Sequence, residues 1–186
     1  IHYFDQVNET QLTDDQYSEA TFKQAYSYFV TKNFDAAENK LIQIKDISNV
    51  YYYPTNYYYG MTKYYKRDYD AAIKSYERVS SSSQYKAHIP YYITQIYFAQ
   101  DKMTELVSYG EKAILKPETK KVKEIRLLLG QAYFQRANYS KALPHLKYYE
   151  KNTDKLTKDE FYQLAFTQYQ LGQYADAKEN FKELTN

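Results

Sequence analysis

Apolar residues in this chain recur at helical intervals, and the stripes they form come in pairs. Phe22, Ala25, Tyr26, Phe29 and Val30 mark one helical face, and Phe34, Ala37, Leu41 and Ile44 mark a second. The polar run Thr31-Lys32-Asn33 between them predicts a tight turn joining two antiparallel amphipathic helices. The arrangement returns with Tyr57, Gly60, Tyr64 and Tyr65, then Tyr69, Ala72, Ile73, Tyr76 and Val79. One pair sets the beat: an aromatic or Met followed three residues later by a small or aliphatic residue. It occurs as Phe34/Ala37, Tyr69/Ala72, Met103/Leu106, Tyr139/Ala142 and Tyr174/Ala177, at spacings of 35, 34, 36 and 35 residues. A fixed period of this size is the mark of a solenoid, in which each unit buries its apolar face against its neighbours.

The expected fold class is therefore all-α, a right-handed superhelical α-solenoid of antiparallel helix pairs, with about five units and a partial N-terminal helix. The units are expected at 14–52, 53–86, 87–120, 121–156 and 157–186, forming one solenoid domain, with 1–13 as the tail of a preceding repeat. Within each unit the turn reads Lys32-Asn33, Arg67-Asp68, Asp101-Lys102, Ala137-Asn138 or Gly172-Gln173. Ser48-Asn49, the run Ser80 to Ser83, Lys116-Pro117-Glu118 and Asn152-Thr153-Asp154 punctuate the joins between units. Asp14, Asp154 and Thr157 suit helix N-termini, and Pro54 and Pro90 suit first turns. Pro144 falls inside a second helix, where it removes one backbone hydrogen bond.

These motifs resemble the tetratricopeptide repeat. The fourth unit carries the pattern most fully, with Leu129-Gly130, Tyr133, Tyr139, Ala142 and Leu146. The fifth has Leu164-Ala165, Gly172, Tyr174, Ala177 and Phe181, and the second has Tyr59-Gly60, Tyr69, Ala72 and Tyr76. Two departures stand out: Lys63 replaces the first aromatic of unit two, and Met103, Leu106 and Gly110 replace the usual residues of unit three. The second helix of unit three is thus expected to pack more loosely or to be marginally shifted. Phe4 and Val7 share the spacing of residues that close second helices, so the chain reads as a segment of a longer repeat protein.

Composition narrows the chemistry. Cysteine is absent, which removes disulfides and thiol catalysis, and no apolar stretch is long enough to span a membrane. A formal charge of +2 supplies no basic excess for nucleic acid. His2, His88 and His145 lie in different units, with His145 expected on an outer helix face, so no metal ligand set forms. Asp14-Asp15 and Asp159-Glu160 read as helix-start acids, and Lys116, Lys120, Lys121 and Lys123 as a solvated loop. No phosphate loop, nucleophile elbow or zinc-protease motif is present, so the chain is read as non-catalytic and without cofactor.

What stands out is tyrosine, at 26 residues with no Trp. The resemblance implies that first helices line a concave groove. Helical phase then assigns Phe22, Tyr26 and Phe29 to it beside Tyr57, Tyr58, Met61, Tyr64 and Tyr65. Further along come Tyr91, Tyr92, Gln95 and Phe98, then Leu127, Gln131 and Phe134, then Tyr162, Phe166 and Tyr169. An aromatic at one late phase of every first helix (Phe29, Tyr64, Phe98, Phe134, Tyr169) suggests a ladder of rings. The cationic clamp that chaperone-binding repeats use for a terminal carboxylate is replaced here by Phe22, Tyr26, Tyr57, Met61 and Tyr91.

The expected function is a protein–protein interaction scaffold that holds a partner peptide or protein segment by apolar anchors. Two alternatives stand beside it: a glycan or small-molecule binding module, and a regulatory segment of a larger sensor or enzyme. Repeat segments rich in Tyr, Lys, Asn and Gln and free of Cys resemble those of secreted or periplasmic proteins of Bacteroidetes-type bacteria.

Overall fold

A computed structural model describes residues 12–184, and among these it contains ten α-helices and no strand. Residues 1–11 of the expected tail of a preceding repeat, with His2, Phe4 and Val7, lie outside the described residues, as do Thr185 and Asn186. The first helices of the five units are α1 (Asp14–Val30), α3 (Tyr52–Tyr65), α5 (Ile89–Ala99), α7 (Val122–Gln135) and α9 (Lys158–Gln170). The second helices are α2 (Phe34–Ile44), α4 (Tyr69–Arg78), α6 (Met103–Ala113), α8 (Tyr139–Asn152) and α10 (Tyr174–Lys182). The chain divides into two compact units at Ile89/Pro90. In the first, α1 packs on α2, α2 on α3 and α3 on α4, and α1 also lies against α3. In the second, α6 through α10 pack successively in the same way, and α7 lies against α9.

Each hairpin turns by the same device. The residue after the first helix's C-cap adopts a left-handed conformation, at Lys32, Arg67, Asp101, Ala137 and Gly172, with φ between 54° and 75°. The next amide then reaches back five residues, as Asn33 to the Tyr28 carbonyl at 2.9 Å and Asn138 to Tyr133 at 2.9 Å. That same next residue is the N-cap of the second helix. Asn33, Asp68 and Asn138 accept from the amides of Ala36, Ala71 and Lys141, whereas Lys102 and Gln173 make no side-chain cap. Only Gly172 adopts the left-handed conformation without the steric penalty of a Cβ.

Between the helices of a pair, size governs the approach. Ala37, Ala72, Ala142 and Ala177 are buried at the beat position. A Cβ at Gly60 would sit 2.7 Å from Tyr76 Cε1, and one at Gly130 would sit 2.7 Å from Leu146 Cδ2. Unit three differs: Leu106 is wholly buried where others have Ala, and a Cβ at Gly110 would meet Leu129 Cδ2 of α7 at 3.0 Å, so this glycine fits α6 against the first helix that follows it.

Helix starts follow the sequence with one shift. Thr13, not Asp14, caps α1 and forms a capping box with Gln16, leaving Asp14 and Asp15 in the first turn. Thr157 and Glu160 form the equivalent box on α9, so Asp154 is not the cap. Pro54 and Pro90 sit in first turns and Pro144 inside α8.

The turn chemistry yields a direct expectation. Lys102→Asn supplies the missing cap of α6, and Ala137→Gly relieves a left-handed alanine; each is expected to raise stability by about 0.5–1 kcal/mol. Urea unfolding checks this, and Asn33→Ala should move the midpoint the opposite way.

Candidate functional site

Neighbouring first helices lie side by side in each compact unit, and their aromatics meet along the seam. In the α1/α3 seam Tyr58 is the hub. Phe22, Tyr26, Phe29 and Tyr57 surround it, with ring centroids at 5.8, 5.0, 5.1 and 5.3 Å. Phe22 also packs on the buried core of Ala25, Leu41 and Tyr59. Tyr57 stacks on Tyr85 at 4.5 Å, so it is held by the loop after α4. Tyr26 and Tyr65 are the rings that reach solvent here, at 42% and 50% exposure. Beside them a cavity of about 460 Å³ is lined by Phe29, Val30, Lys32, Phe34 and Tyr65, with Tyr65 stacked on Phe34 at 5.0 Å.

Met61 is corrected. It is only 7% exposed, and its sulfur accepts a 3.4 Å hydrogen bond from the Tyr76 hydroxyl. It belongs to the core between α3 and α4 rather than to an open groove.

In the second compact unit, Tyr91 lies under the Lys121 ammonium at 4.8 Å and beside Tyr92 at 5.5 Å. Gln95 donates to the Tyr91 hydroxyl at 2.7 Å, which ties the two together one helical turn apart. Lys123 donates to the Asn152 carbonyl at 3.1 Å, so two lysines of the basic loop serve the fold. Phe98 packs against the cluster of Leu106, Ile125 and Leu129, and Leu127 against that of Tyr133 and Leu146. Gln131 is half-buried on α7. Across the α7/α9 seam Phe134 meets Tyr162 at 6.5 Å and Phe166 at 5.8 Å, and Tyr162 stacks on Phe166.

The ladder of rings is replaced by something more local. The late-phase aromatic of a first helix turns edge-on to the first aromatic of its own second helix. Phe29 meets Phe34 at 5.8 Å, Phe134 meets Tyr139 at 5.9 Å, and Tyr169 meets Tyr174 at 5.5 Å. Tyr64 and Tyr69 lie 6.2 Å apart in the same places. These pairs clamp the hairpin turn, and the geometry is the edge-to-face one that ring quadrupoles favour.

Two polar clusters were not read from the sequence. Lys63, at the position of a missing aromatic, forms an ion pair with Glu38 and another with Asp68 at 3.0 Å. Lys66 adds contacts to Asp35 and Glu38 at 2.5 and 2.7 Å. Burial alone would raise the Glu38 pKa, but hydrogen bonds from Lys63 and Lys66 outweigh it and hold the carboxyl low. These ion pairs join α2 to α3 beside the Phe34–Tyr65 stack.

The second cluster corrects His145, which is 6% exposed and not on an outer face. Its ring stacks on Tyr133 at 5.7 Å, and its Nε2 lies 3.1 Å from Glu111 Oε1. The Tyr133 hydroxyl donates to the same oxygen at 2.8 Å; burial and that bond push its pKa up to about 12. With Nε2 as donor, Nδ1 is left as a buried acceptor without a partner. Burial lowers the His145 pKa, and Arg126 adds to that, against the opposing pull of Glu111. The sequence signal was present but unread: Glu111 and His145 stand 34 residues apart, nearly one repeat. Among the described residues no cluster of His, Asp and Glu is placed to hold a metal ion.

The fold is that of a tetratricopeptide-repeat protein. The tetratricopeptide repeat family model matches residues 161–186. Among solved structures, MamA AMB-1 superposes with a TM-score of 0.73 at 15% identity, covering 90% of either chain. The C-terminal part of a TPR repeat-containing protein from Cytophaga hutchinsonii gives 0.73 at 17% identity, over 98% of this chain and 70% of that one. YrrB, described as a TPR protein with an unusual peptide-binding site, gives 0.69 at 14% identity, over 89% and 83%. A comparison with curated proteins returns no match. No helix among the described residues is long and apolar enough to cross a membrane.

The His145 site carries a pH expectation. The folded state resists protonating this imidazole, while the unfolded chain takes up a proton near its ordinary pKa of about 6.5. Proton uptake by the unfolded state then makes stability fall as pH drops below that value. Urea midpoints should be lower at pH 5.5 than at pH 7.5, and His145→Gln should shrink the difference.

Proposed function

We propose that this chain is a non-catalytic protein–protein interaction scaffold whose α1/α3 face holds a segment of a partner by apolar anchors. The observation that carries the reading is the pair of exposed rings, Tyr26 and Tyr65, over a closed aromatic floor beside a cavity of about 460 Å³. Rigid Tyr rings offer contact area at low entropic cost, and a pocket of this size accepts one large apolar side chain. The similarity in fold to YrrB, a TPR protein with an unusual peptide-binding site, supports a peptide as the ligand class. Tyr91, Tyr92, Tyr162 and Phe166 extend the same role on the first helices of the second compact unit.

Peptides selected from a random library against the intact chain test this. Tyr26→Ala and Tyr65→Ala are each expected to weaken a selected apolar peptide by about tenfold, with the circular dichroism spectrum unchanged. Undiminished binding in the double variant would sink the assignment. A glycan panel followed by tyrosine fluorescence should give no response; a saturable one would favour the sugar-binding alternative.

A further inference from the structure

The five hairpins share a register, so one place can be compared from repeat to repeat. Two residues before the left-handed turn residue stand Val30, Tyr65, Ala99, Gln135 and Gln170, and all five are exposed. Tyr65, Ala99 and Gln135 have a described repeat on either side, so exposure belongs to the position itself. Gln135 and Gln170 show that the repeat needs nothing apolar there. Val30 and Tyr65 are nevertheless apolar, at 55% and 50% exposure, and both line the cavity of about 460 Å³ with Phe29 and Phe34. Apolar surface kept where the fold tolerates an amide marks a contact with something else.

The fifth lining residue is Lys32, itself the left-handed residue of its turn. The equivalent Ala137 and Gly172 show that such a turn closes without a charge. The Lys32 ammonium has no partner among the described residues. Asp35 and Glu38, the two acids of α2, are held by Lys66 and Lys63 instead. A lysine stem lies readily along apolar walls with its charge at the rim. The cavity thus combines an apolar lining with one uncommitted cation.

We propose that this cavity selects peptide segments in which a large apolar side chain stands within two residues of an Asp or Glu. The apolar side chain fills the cavity, and the side-chain carboxylate pairs with Lys32. Two residues of extended chain span about 7 Å, within reach of a lysine side chain. This preference rests on the α1/α3 face being the partner site, and it adds a charge requirement to that face.

Peptides from a random library, displayed with their C-termini fused, are selected against the intact chain. Most binders are expected to carry Asp or Glu within two residues of a large apolar residue. For a synthetic copy of one binder, Lys32→Gln should weaken binding about threefold, the scale of an exposed ion pair, and flatten its salt dependence. Lys32→Arg should preserve both, and Lys32→Glu should favour a peptide with Lys in place of the acid. Amidating the peptide's C-terminus should change nothing. Binders that need Tyr65 yet ignore Lys32→Gln and Lys32→Glu would overturn the charge preference alone. Loss of binding on amidation would do the same, by giving the cation to a terminal carboxylate. A library without binders, or binders indifferent to Tyr26→Ala and Tyr65→Ala together, would overturn the partner site and the charge preference with it.

Discussion

The rest of the structure depends on how closely two helices of a pair approach, and that is set by a few residues without bulk. Gly60 and Gly130 leave no room for a Cβ against Tyr76 and Leu146, and the alanines at the beat position are buried. On α6, where Leu106 replaces the alanine, Gly110 instead makes room for Leu129 of α7. With the spacing fixed this tightly, the turn between helices must also be fixed. A left-handed residue and a five-residue backbone reach close every hairpin, whether or not glycine is available. The period of about 35 residues is the length of chain this geometry consumes per unit.

That frame explains where the tyrosines go. A large ring placed late in a first helix has no space between the paired helices, and it folds over the turn onto the first ring of the second helix. Rings one and two turns earlier meet the neighbouring first helix instead, as Phe22 and Tyr26 meet Tyr58. Beside these contacts Tyr26 on α1 and Tyr53 and Tyr65 on α3 keep part of their rings in solvent. A phenol suits this edge position, since its apolar body packs while its hydroxyl stays wet.

Much of this was legible in the sequence because periodicity reports local geometry. The helix pairs, the five turns and the small residues between paired helices all sit within one unit and follow from spacing. Orientation across units was harder to read. Met61 shares the helical phase of groove residues, yet a hydroxyl from α4 draws it inward. His145 lies on α8 at a position that reads as outward until α6 supplies Glu111 against it. Lys63 looked like a lapse in the pattern, and its partners Glu38 and Asp68 flank it in sequence by 25 and 5 residues. In each case the deciding partner sits on a different helix, beyond what a single-helix phase can show.

The central claim is that the first-helix face of α1 and α3 is where a partner rests. Site-specific photo-crosslinking tests it most directly, with the reactive side chain placed at position 26, at position 65, or at position 42 on the exposed back of α2. Crosslinks to a bound peptide from positions 26 and 65, with none from position 42, are the expected result. A yield from position 42 equal to or above the other two would contradict the account.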